Sequence, residues 1–150
     1  MVKLPLPGSE SLLKAVRTAL GPDRKPLLIG IDGPDGVGKS SLASWLAWQL
    51  GMPAVHLDLY IMRNSEPLAW RTDELARLIG ARIDNCRPVI VEGILILDAL
   101  DCISRRPDFL VYVCGEGGHG LAGRIENYKA RQRPEEVAQA QLDAFAESRN

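Results

Sequence analysis

The chain has 150 residues, of which 46% are hydrophobic and 25% charged, and 18 Lys and Arg against 19 Asp and Glu give a net charge of −1. This composition excludes a mainly disordered chain, and the length predicts one domain with one core. The near-zero charge gives no overall attraction to nucleic acid or anionic lipid, and no apolar run approaches the ~20 residues of a membrane span. We therefore predict a cytoplasmic single-domain protein with no nucleic-acid and no membrane partner.

Hydrophobic periodicity predicts alternating helices and strands from the N-terminus onward. Apolar residues recur at helical spacing over 9–20, and a short apolar run over 26–31 is typical of a strand buried on both faces. A second helix is predicted over 39–50, where leucine and alanine recur with the helical period, and Gly51 is expected to end it.

The same alternation continues in the second half of the chain. Residues 53–59 predict a second strand and residues 72–83 a helix that Thr72 caps. The apolar runs 88–94 and 108–114 predict a third and a fourth strand. Strands that alternate with helices predict an α/β fold, in which a short parallel sheet of four strands is flanked by helices.

Two more helices are predicted beyond the fourth strand, over 121–131 and 134–148. Ligands of open parallel sheets bind at the carboxyl ends of the strands, so residues at those ends are the first candidates for function. The expected organisation is one domain with an N-terminal helix region (1–25), a core of alternating strands and helices (26–114), a connecting region (115–134) and a C-terminal helix (135–150).

Two tryptophans and the three cysteines are predicted to be packing residues. We expect Trp45 and Trp48 to pack rather than contact a ligand, because both lie in the predicted helix 39–50. Cys86, Cys102 and Cys114 are odd in number and lack CxxC spacing, so they predict neither a disulfide framework nor a zinc site but small buried apolar residues.

The segment from Gly33 to Ser40 matches the phosphate-binding pattern G-x-x-x-x-G-K-[ST]. Such a loop lets several backbone N–H groups converge on phosphate oxygens, and the helix that follows presents its positive N-terminus to the same anion. Lys39 is expected to reach the β- and γ-phosphates of ATP, and Ser40 to ligate Mg²⁺. The predicted nucleotide-binding residues are Gly33, Pro34, Asp35, Gly36, Val37, Gly38, Lys39, Ser40 and Ser41.

An acidic side chain lies at the end of the second predicted strand and another in the third. Asp58 is a candidate general base near the γ-phosphate, and the alternative is an aspartate that caps a loop. Glu92 follows three β-branched residues, where an ionised carboxylate is costly to bury unless it is paired. A carboxylate at this place resembles the acidic end of a Walker B strand, so we predict that Glu92 holds Mg²⁺ or its waters together with Ser40. The alternative is a structural carboxylate that is paired inside the protein.

Three segments together resemble the uridine kinase family and, more broadly, the group of P-loop kinases that contains nucleoside kinases, pantothenate kinases and phosphoribulokinases. They are Ile31–Ser41, Asp58–Tyr60 and Val89–Leu95, and the resemblance covers residues 26–134. It implies a three-layer P-loop NTPase-type fold, ATP and Mg²⁺ as cofactors, Asp58 as catalytic base and Glu92 as a holder of the metal and its waters. The family usually has a fifth strand, whereas residues 134–150 here read as a helix.

A lid is predicted after the fourth strand. Residues 115–120 are rich in glycine, and Arg124, Arg131 and Arg133 follow. P-loop kinases commonly close arginines over the transferring phosphoryl group, and the alternative here is the solvated basic face of a surface helix.

The segment after Asp58 is predicted to hold the phosphoryl acceptor. Its candidate residues are Tyr60, Arg63, Trp70 and Arg71. Trp70 would either stack on a flat substrate or fix the next helix to the core.

These patterns predict an ATP- and Mg²⁺-dependent kinase whose partner is a small-molecule phosphoryl acceptor with a hydroxyl group, a nucleoside such as uridine being one possibility. An ATPase and a non-catalytic nucleotide-binding module are the alternatives. A GTPase is excluded because the sequence lacks the guanine-reading Asn-Lys-x-Asp. A sheet edge left open by the missing fifth strand would favour a homodimer.

Overall fold

The computed structural model of the chain describes residues 9–33, 38–63 and 69–113. The helices and strands in these ranges are α1 (Ser9–Leu20), β1 (Leu28–Asp32), α2 (Lys39–Leu50), β2 (Ala54–His56), a 3₁₀ turn (Leu57–Tyr60), α3 (Thr72–Ile83), β3 (Val89–Glu92), α4 (Ile96–Asp101) and β4 (Phe109–Tyr112). The predicted helices over 121–131 and 134–148 lie outside the described residues.

The four strands form one parallel sheet in the order β2-β3-β1-β4. This confirms the predicted α/β class and the sheet of four strands. The register pairs Glu92 with Ile31 on β1 and with His56 on β2. The carboxyl ends of β1, β2 and β3 therefore meet at one edge of the sheet, which is where ligands of such folds bind.

Each face of the sheet carries its own hydrophobic core. On one face, α1 and α2 pack on Ile29 and Ile31 of β1. On the other face, α3 and α4 pack on Leu28, Val89 and Val91. Side chains alternate between the two faces of a strand, so a strand of apolar residues contributes to both cores. Burial of each large apolar side chain stabilises the fold by roughly 1.5–3 kcal/mol. The result is a three-layer arrangement.

The second and third strands are shorter than the sequence predicts. The predicted strand 53–59 ends at His56, and Leu57–Tyr60 forms a 3₁₀ turn in which Asp58 and Leu59 are exposed. The predicted strand 88–94 ends at Glu92, and α4, which the sequence did not predict, begins soon after.

Some local predictions are wrong. Thr72 is the first residue of α3 rather than its cap, since Arg71 occupies the cap position without a side-chain cap bond. Trp48 is 79% exposed because it lies on the same outer face of α2 as Ser40 and Ser44, at four-residue spacing.

Packing was also predicted for Trp45 and for the cysteines. Trp45 is partly buried and packs against the core, as predicted. Cys86 and Cys102 are exposed free thiols, which corrects their predicted burial.

Within the part of the chain that the structure describes, no helix is both long enough and apolar enough to cross a bilayer.

Candidate nucleotide and phosphoryl-transfer site

Ser40 and Glu92 meet at the carboxyl edge of the sheet. Ser40 lies in the first turn of α2, directly after the loop that follows β1, and Glu92 is the last residue of the neighbouring strand β3. The Ser40 hydroxyl lies 2.9 Å from Oε2 and 3.1 Å from Oε1 of the Glu92 carboxylate. The structure thus brings together the two residues that the sequence predicts to hold Mg²⁺.

His56 completes this cluster, although the sequence alone indicated only a structural role for it. It pairs with Glu92 across the β2–β3 ladder, and its Nδ1 lies 3.5 Å from Oε1 of Glu92. In a parallel sheet, residues in register project to the same face, so the pairing of these two strands fixes the contact. The position of His56 near the carboxyl end of a predicted strand is the sequence feature that could have identified it as a site residue.

The donors around Glu92 fit a Mg²⁺ ion. Its side chain is only 2% exposed, and a buried carboxylate needs a counter-charge or hydrogen bonds to be stable. Mg²⁺ prefers hard oxygen ligands and is usually held by one or two carboxylates together with phosphates and waters. Within the described residues no group of three or more His, Cys, Asp and Glu side chains could hold a metal ion, so Ser40 and Glu92 would share the ion with phosphates and waters.

The loop itself is described at its two ends. Gly33 is buried directly after β1, and Gly38 precedes α2 with a φ of 95°, a backbone conformation that favours glycine. Lys39, the first residue of α2, is buried with 7% of its surface exposed. Residues 34–37, which are Pro34, Asp35, Gly36 and Val37, lie outside the described residues.

A second buried carboxylate, Asp32, lies beneath the loop at the end of β1. One oxygen accepts a hydrogen bond from the Gly33 N–H at 2.6 Å, and the other accepts one from the Ile96 N–H at 2.8 Å. Burial raises the pKa of Asp32 from 3.8 to about 7, although these N–H groups and the nearby Lys39 ammonium favour the charged form. Asp32 therefore ties the start of α4 to the base of the loop.

A cavity of about 300 Å³ opens beside the Ser40–Glu92 pair. Its lining residues are Lys39, Ser40, Leu57, Asp58, Ile61, Trp70, Glu92, Gly93 and Ile94. Asp58 belongs to the 3₁₀ turn after β2, whereas Lys39 and Glu92 belong to α2 and β3. All three nevertheless line the same cavity. One cavity thus contains residues that are predicted to act on phosphate, metal and acceptor hydroxyl, namely Lys39, Ser40, Glu92 and Asp58.

Ser41 was also predicted to bind the nucleotide, and three arginines were predicted to form a lid. Ser41, which is partly buried in α2, is absent from the lining of the cavity described above. Arg124, Arg131 and Arg133 lie outside the described residues.

Of the four residues predicted to contact the acceptor, the structure places Trp70 in the cavity and the others elsewhere. Tyr60 lines a separate hollow beside β2, and Arg63 and Arg71 line a third. The Arg71 guanidinium donates to the carbonyl of Leu59 at 2.6 Å. These residues thus lie on different sides of the segment that follows Asp58.

Gly93 allows the cavity floor to close. A Cβ atom added at this position would lie 2.7 Å from Cβ of Leu57, far inside van der Waals contact. The glycine therefore lets the backbone after Glu92 pass directly against the turn that carries Asp58. The sequence places Gly93 in the segment Val89–Leu95 that carries the family resemblance, but no local pattern predicts this close approach to Leu57.

Comparison with known proteins identifies the family of the chain. The model of the family described as "ATPase family associated with various cellular activities (AAA)" matches residues 29–128. No curated protein matches the chain. Among solved structures, the chain resembles one described as "a Possible Uridine Kinase from Bacillus stearothermophilus", with a TM-score of 0.48 and 16% identity over 95% of this chain and 91% of that chain.

Proposed function

The chain belongs to the ATPase family associated with various cellular activities, and we propose that it transfers the γ-phosphoryl group of ATP to the hydroxyl of a small molecule. One observation carries the choice of transfer over hydrolysis. Asp58 lines the same cavity as Lys39, Ser40 and Glu92, and the cavity continues along apolar side chains, which suit an organic acceptor better than water alone.

The nucleotide is held at the loop end of the cavity. Lys39 contacts the β- and γ-phosphates, with backbone N–H groups at the start of α2 directed at the same anion. Ser40 and Glu92 hold Mg²⁺, which when bound neutralises negative charge on the phosphates. His56 keeps the Glu92 carboxylate oriented toward Ser40 through its contact at 3.5 Å.

Asp58 acts as the general base. Its carboxylate accepts the proton of the acceptor hydroxyl while the hydroxyl oxygen forms a bond to the γ-phosphorus and the bond from that phosphorus to the β,γ-bridging oxygen breaks, releasing ADP. The exposed turn gives the carboxylate access to an incoming substrate. Arg124, Arg131 and Arg133 are proposed to close over the transferred group, and a nucleoside such as uridine is one proposed acceptor.

ATP hydrolysis without an organic acceptor is the second candidate, and the family match favours it. A motor ATPase usually carries a second acidic residue directly after the one that corresponds to Glu92, and here Gly93 stands there. A non-catalytic nucleotide-binding module is less consistent with the retention of Lys39, Ser40, Asp58 and Glu92 in one cavity.

A coupled assay of ADP release from Mg²⁺-ATP tests the proposal against a panel of nucleosides, sugars and small alcohols, with Lys39→Ala as the blank. Transfer predicts that one acceptor raises ADP release well above the rate without acceptor. A single rate whatever is added, abolished by Lys39→Ala, would establish an ATPase instead. Binding of ATP with no turnover would favour the non-catalytic module.

A further inference from the structure

The carboxylate of Asp32 joins two parts of the candidate site that lie far apart in the chain. Asp32 is the last residue of β1, and its side chain is fully buried. One oxygen accepts the N–H of Gly33, where the phosphate-binding loop begins, and the other accepts the N–H of Ile96, where α4 begins, 64 positions away. Because a buried group that loses its partner is destabilising, neither bond is easily given up. A change at the loop is therefore felt at the start of α4.

The turn between β3 and α4 forms part of the cavity wall. Gly93 and Ile94, which belong to this turn, both line the cavity. At one end of the turn the Gly93 N–H donates to the carbonyl of Ile31 at 3.0 Å, and at the other the Ile96 N–H donates to Asp32 at 2.8 Å. The end of β1 thus holds this part of the wall from both sides.

The same turn contains a strained residue. Leu95 has a φ of 52°, a left-handed conformation that is unfavourable for a residue with a side chain. Such a conformation persists where the surrounding structure enforces it. The bond from the adjacent Ile96 N–H to Asp32 is one of the contacts that enforce it here. The place of Ile94 in the cavity wall, directly before Leu95, therefore depends on the strength of this bond.

A nucleotide in the loop changes the electrostatic surroundings of Asp32. Burial raises the pKa of Asp32 to about 7, whereas the N–H groups of Ile96 and Gly33 and the nearby Lys39 ammonium favour its charged form. Lys39 is also the side chain expected to contact the β- and γ-phosphates. Phosphates that neutralise this ammonium leave the Asp32 carboxylate more dependent on its two N–H donors. Occupancy of the loop thereby alters the bond that holds the turn.

We propose that Asp32 is a positioning residue that couples nucleotide binding at the loop to the shape of the cavity wall at Ile94, through its hydrogen bonds to Gly33 and Ile96. The assignment of that wall to the phosphoryl acceptor rests on the proposed function. The coupling itself does not. Where both ligands bind, each changes the affinity of the protein for the other by the same factor.

Backbone ¹⁵N–¹H spectra of the full chain, titrated with Mg²⁺-ADP, test the coupling without any acceptor. The Gly38 amide, at the end of the loop, reports nucleotide binding, and the Ile96 amide reports the turn. We expect both signals to shift in a saturable manner with the same midpoint. In Asp32→Asn the Gly38 shift should persist and most of the Ile96 shift should be lost. A neutral amide has one acceptor oxygen, so it cannot hold both N–H groups or respond equally to the charge of Lys39.

Asp108→Asn is the matched control. The Asp108 carboxylate also accepts a backbone N–H, that of Leu28 at 2.8 Å, but at the opposite end of β1 from the loop. The Ile96 amide of this variant should respond to Mg²⁺-ADP as in the wild type. An Ile96 signal that stays in place in the wild type, or one that shifts equally in Asp32→Asn, overturns the proposal.

A second measurement needs the wild type alone and decides the matter even where Asp32→Asn does not fold. The side-chain carboxyl ¹³C signal of Asp32 should shift as Mg²⁺-ADP saturates the loop. A shift of Ile96 without a shift of this carboxyl signal would mean that the nucleotide acts on the turn by another route, and would overturn the role of Asp32.

Turnover separates the coupling from the proposed function. If the Ile96 amide responds to Mg²⁺-ADP through Asp32 but no compound stimulates ADP release, the coupling stands and phosphoryl transfer fails. If an acceptor does stimulate ADP release, Asp32→Asn should raise the KM for that acceptor about tenfold while the affinity for Mg²⁺-ADP alone changes little. Transfer with neither the Ile96 signal nor this KM responding would leave the transfer proposal standing and remove the coupling.

Discussion

The hydroxyl of Ser40 lies within 3.1 Å of both carboxylate oxygens of Glu92, although the two residues are 52 positions apart in the chain. The contact follows from the parallel pairing of β1 with β3, because both strands end at the same edge of the sheet and α2, which carries Ser40, begins there. The two side chains therefore place three oxygen atoms that could coordinate a metal ion close together without a bound ligand. Preorganisation of this kind reduces the cost of binding a metal ion with its nucleotide.

We expect Glu92→Gln to raise the Mg²⁺ concentration for half-maximal ADP release by roughly 10–100-fold. Glutamine still accepts the hydrogen bond from Ser40 but lacks the negative charge that attracts the cation. Titration of ADP release with Mg²⁺ at fixed ATP measures the change. Glu10→Gln, on the exposed face of α1, is the matched control and should titrate like the wild type. An unchanged Mg²⁺ dependence in Glu92→Gln would remove Glu92 from the metal site.

Lys39→Ala should lower ATP turnover by roughly 100-fold or more, since it removes a buried ammonium placed to stabilise charge on the phosphates. The rate of ADP release at saturating ATP measures this loss. Lys14→Ala, an exposed lysine of α1, provides the control and should retain the wild-type rate. Turnover in Lys39→Ala within a few-fold of the wild type would contradict the assignment of the loop.

Asp58→Asn should retain nucleotide binding and lose phosphoryl transfer by roughly 10²–10⁴-fold, which is the usual contribution of a general base. The amide keeps the shape of the side chain but cannot accept the proton. Nucleotide affinity and acceptor-dependent ADP release, measured on the same sample, separate the two effects. Asp23→Asn, in the exposed turn after α1, is the control. Wild-type transfer in Asp58→Asn would make Asp58 a loop residue without a role in catalysis.

The regular elements of this fold are readable from sequence where one periodicity covers the whole element. The helices 39–50 and 72–83 have the predicted bounds, and all four predicted strands exist. Each signal is local, since apolar residues at helical spacing or in a short continuous run specify the element that buries them.

What the sequence could not reveal depends on contacts between distant residues. Residues 94–97 are apolar and favour a strand, yet Leu95 adopts a φ of 52° and α4 begins at Ile96. The Asp32 carboxylate accepts the Ile96 N–H across 64 positions, and this long-range bond supports the turn into α4. The separation of Trp70 from Arg63 and Arg71 likewise follows from the bridge between Ile61 and Trp70, which no local pattern predicts.

Gly93→Ala should destabilise the fold by roughly 1–3 kcal/mol and reduce activity as well. The added methyl would lie 2.7 Å from Cβ of Leu57, a buried residue, so the turn that carries Asp58 must move. Thermal unfolding and ADP release measure the two effects. Gly80→Ala is the control, because a Cβ there meets only the flexible ends of Asp84 and Arg105 and alanine favours the helix, so stability should stay within about 1 kcal/mol. Unchanged melting and activity in Gly93→Ala would contradict the close approach.

Asp32 should make the stability of the protein depend on pH. Its pKa is raised from 3.8 in the unfolded chain to about 7 in the fold, chiefly by burial, so between pH 4 and pH 7 the folded protein holds a proton that the unfolded chain has released. The contribution of Asp32 to the free energy of unfolding is therefore fully present below pH 4. It declines by about 4 kcal/mol as the pH rises to 7.

Asp32→Asn isolates this contribution, because asparagine does not titrate and the other groups that titrate are common to both proteins. The amide nitrogen cannot accept the second N–H, so the variant starts with a lower stability at pH 4.5. The informative quantity is therefore how the difference in the free energy of unfolding between the two proteins changes with pH. Denaturant unfolding from pH 4.5 to 7.5 should show the wild type losing stability relative to the variant across this range. Parallel curves would mean that Asp32 is ionised in the fold throughout, held by Lys39 and the N–H groups of Gly33 and Ile96 against the cost of its burial.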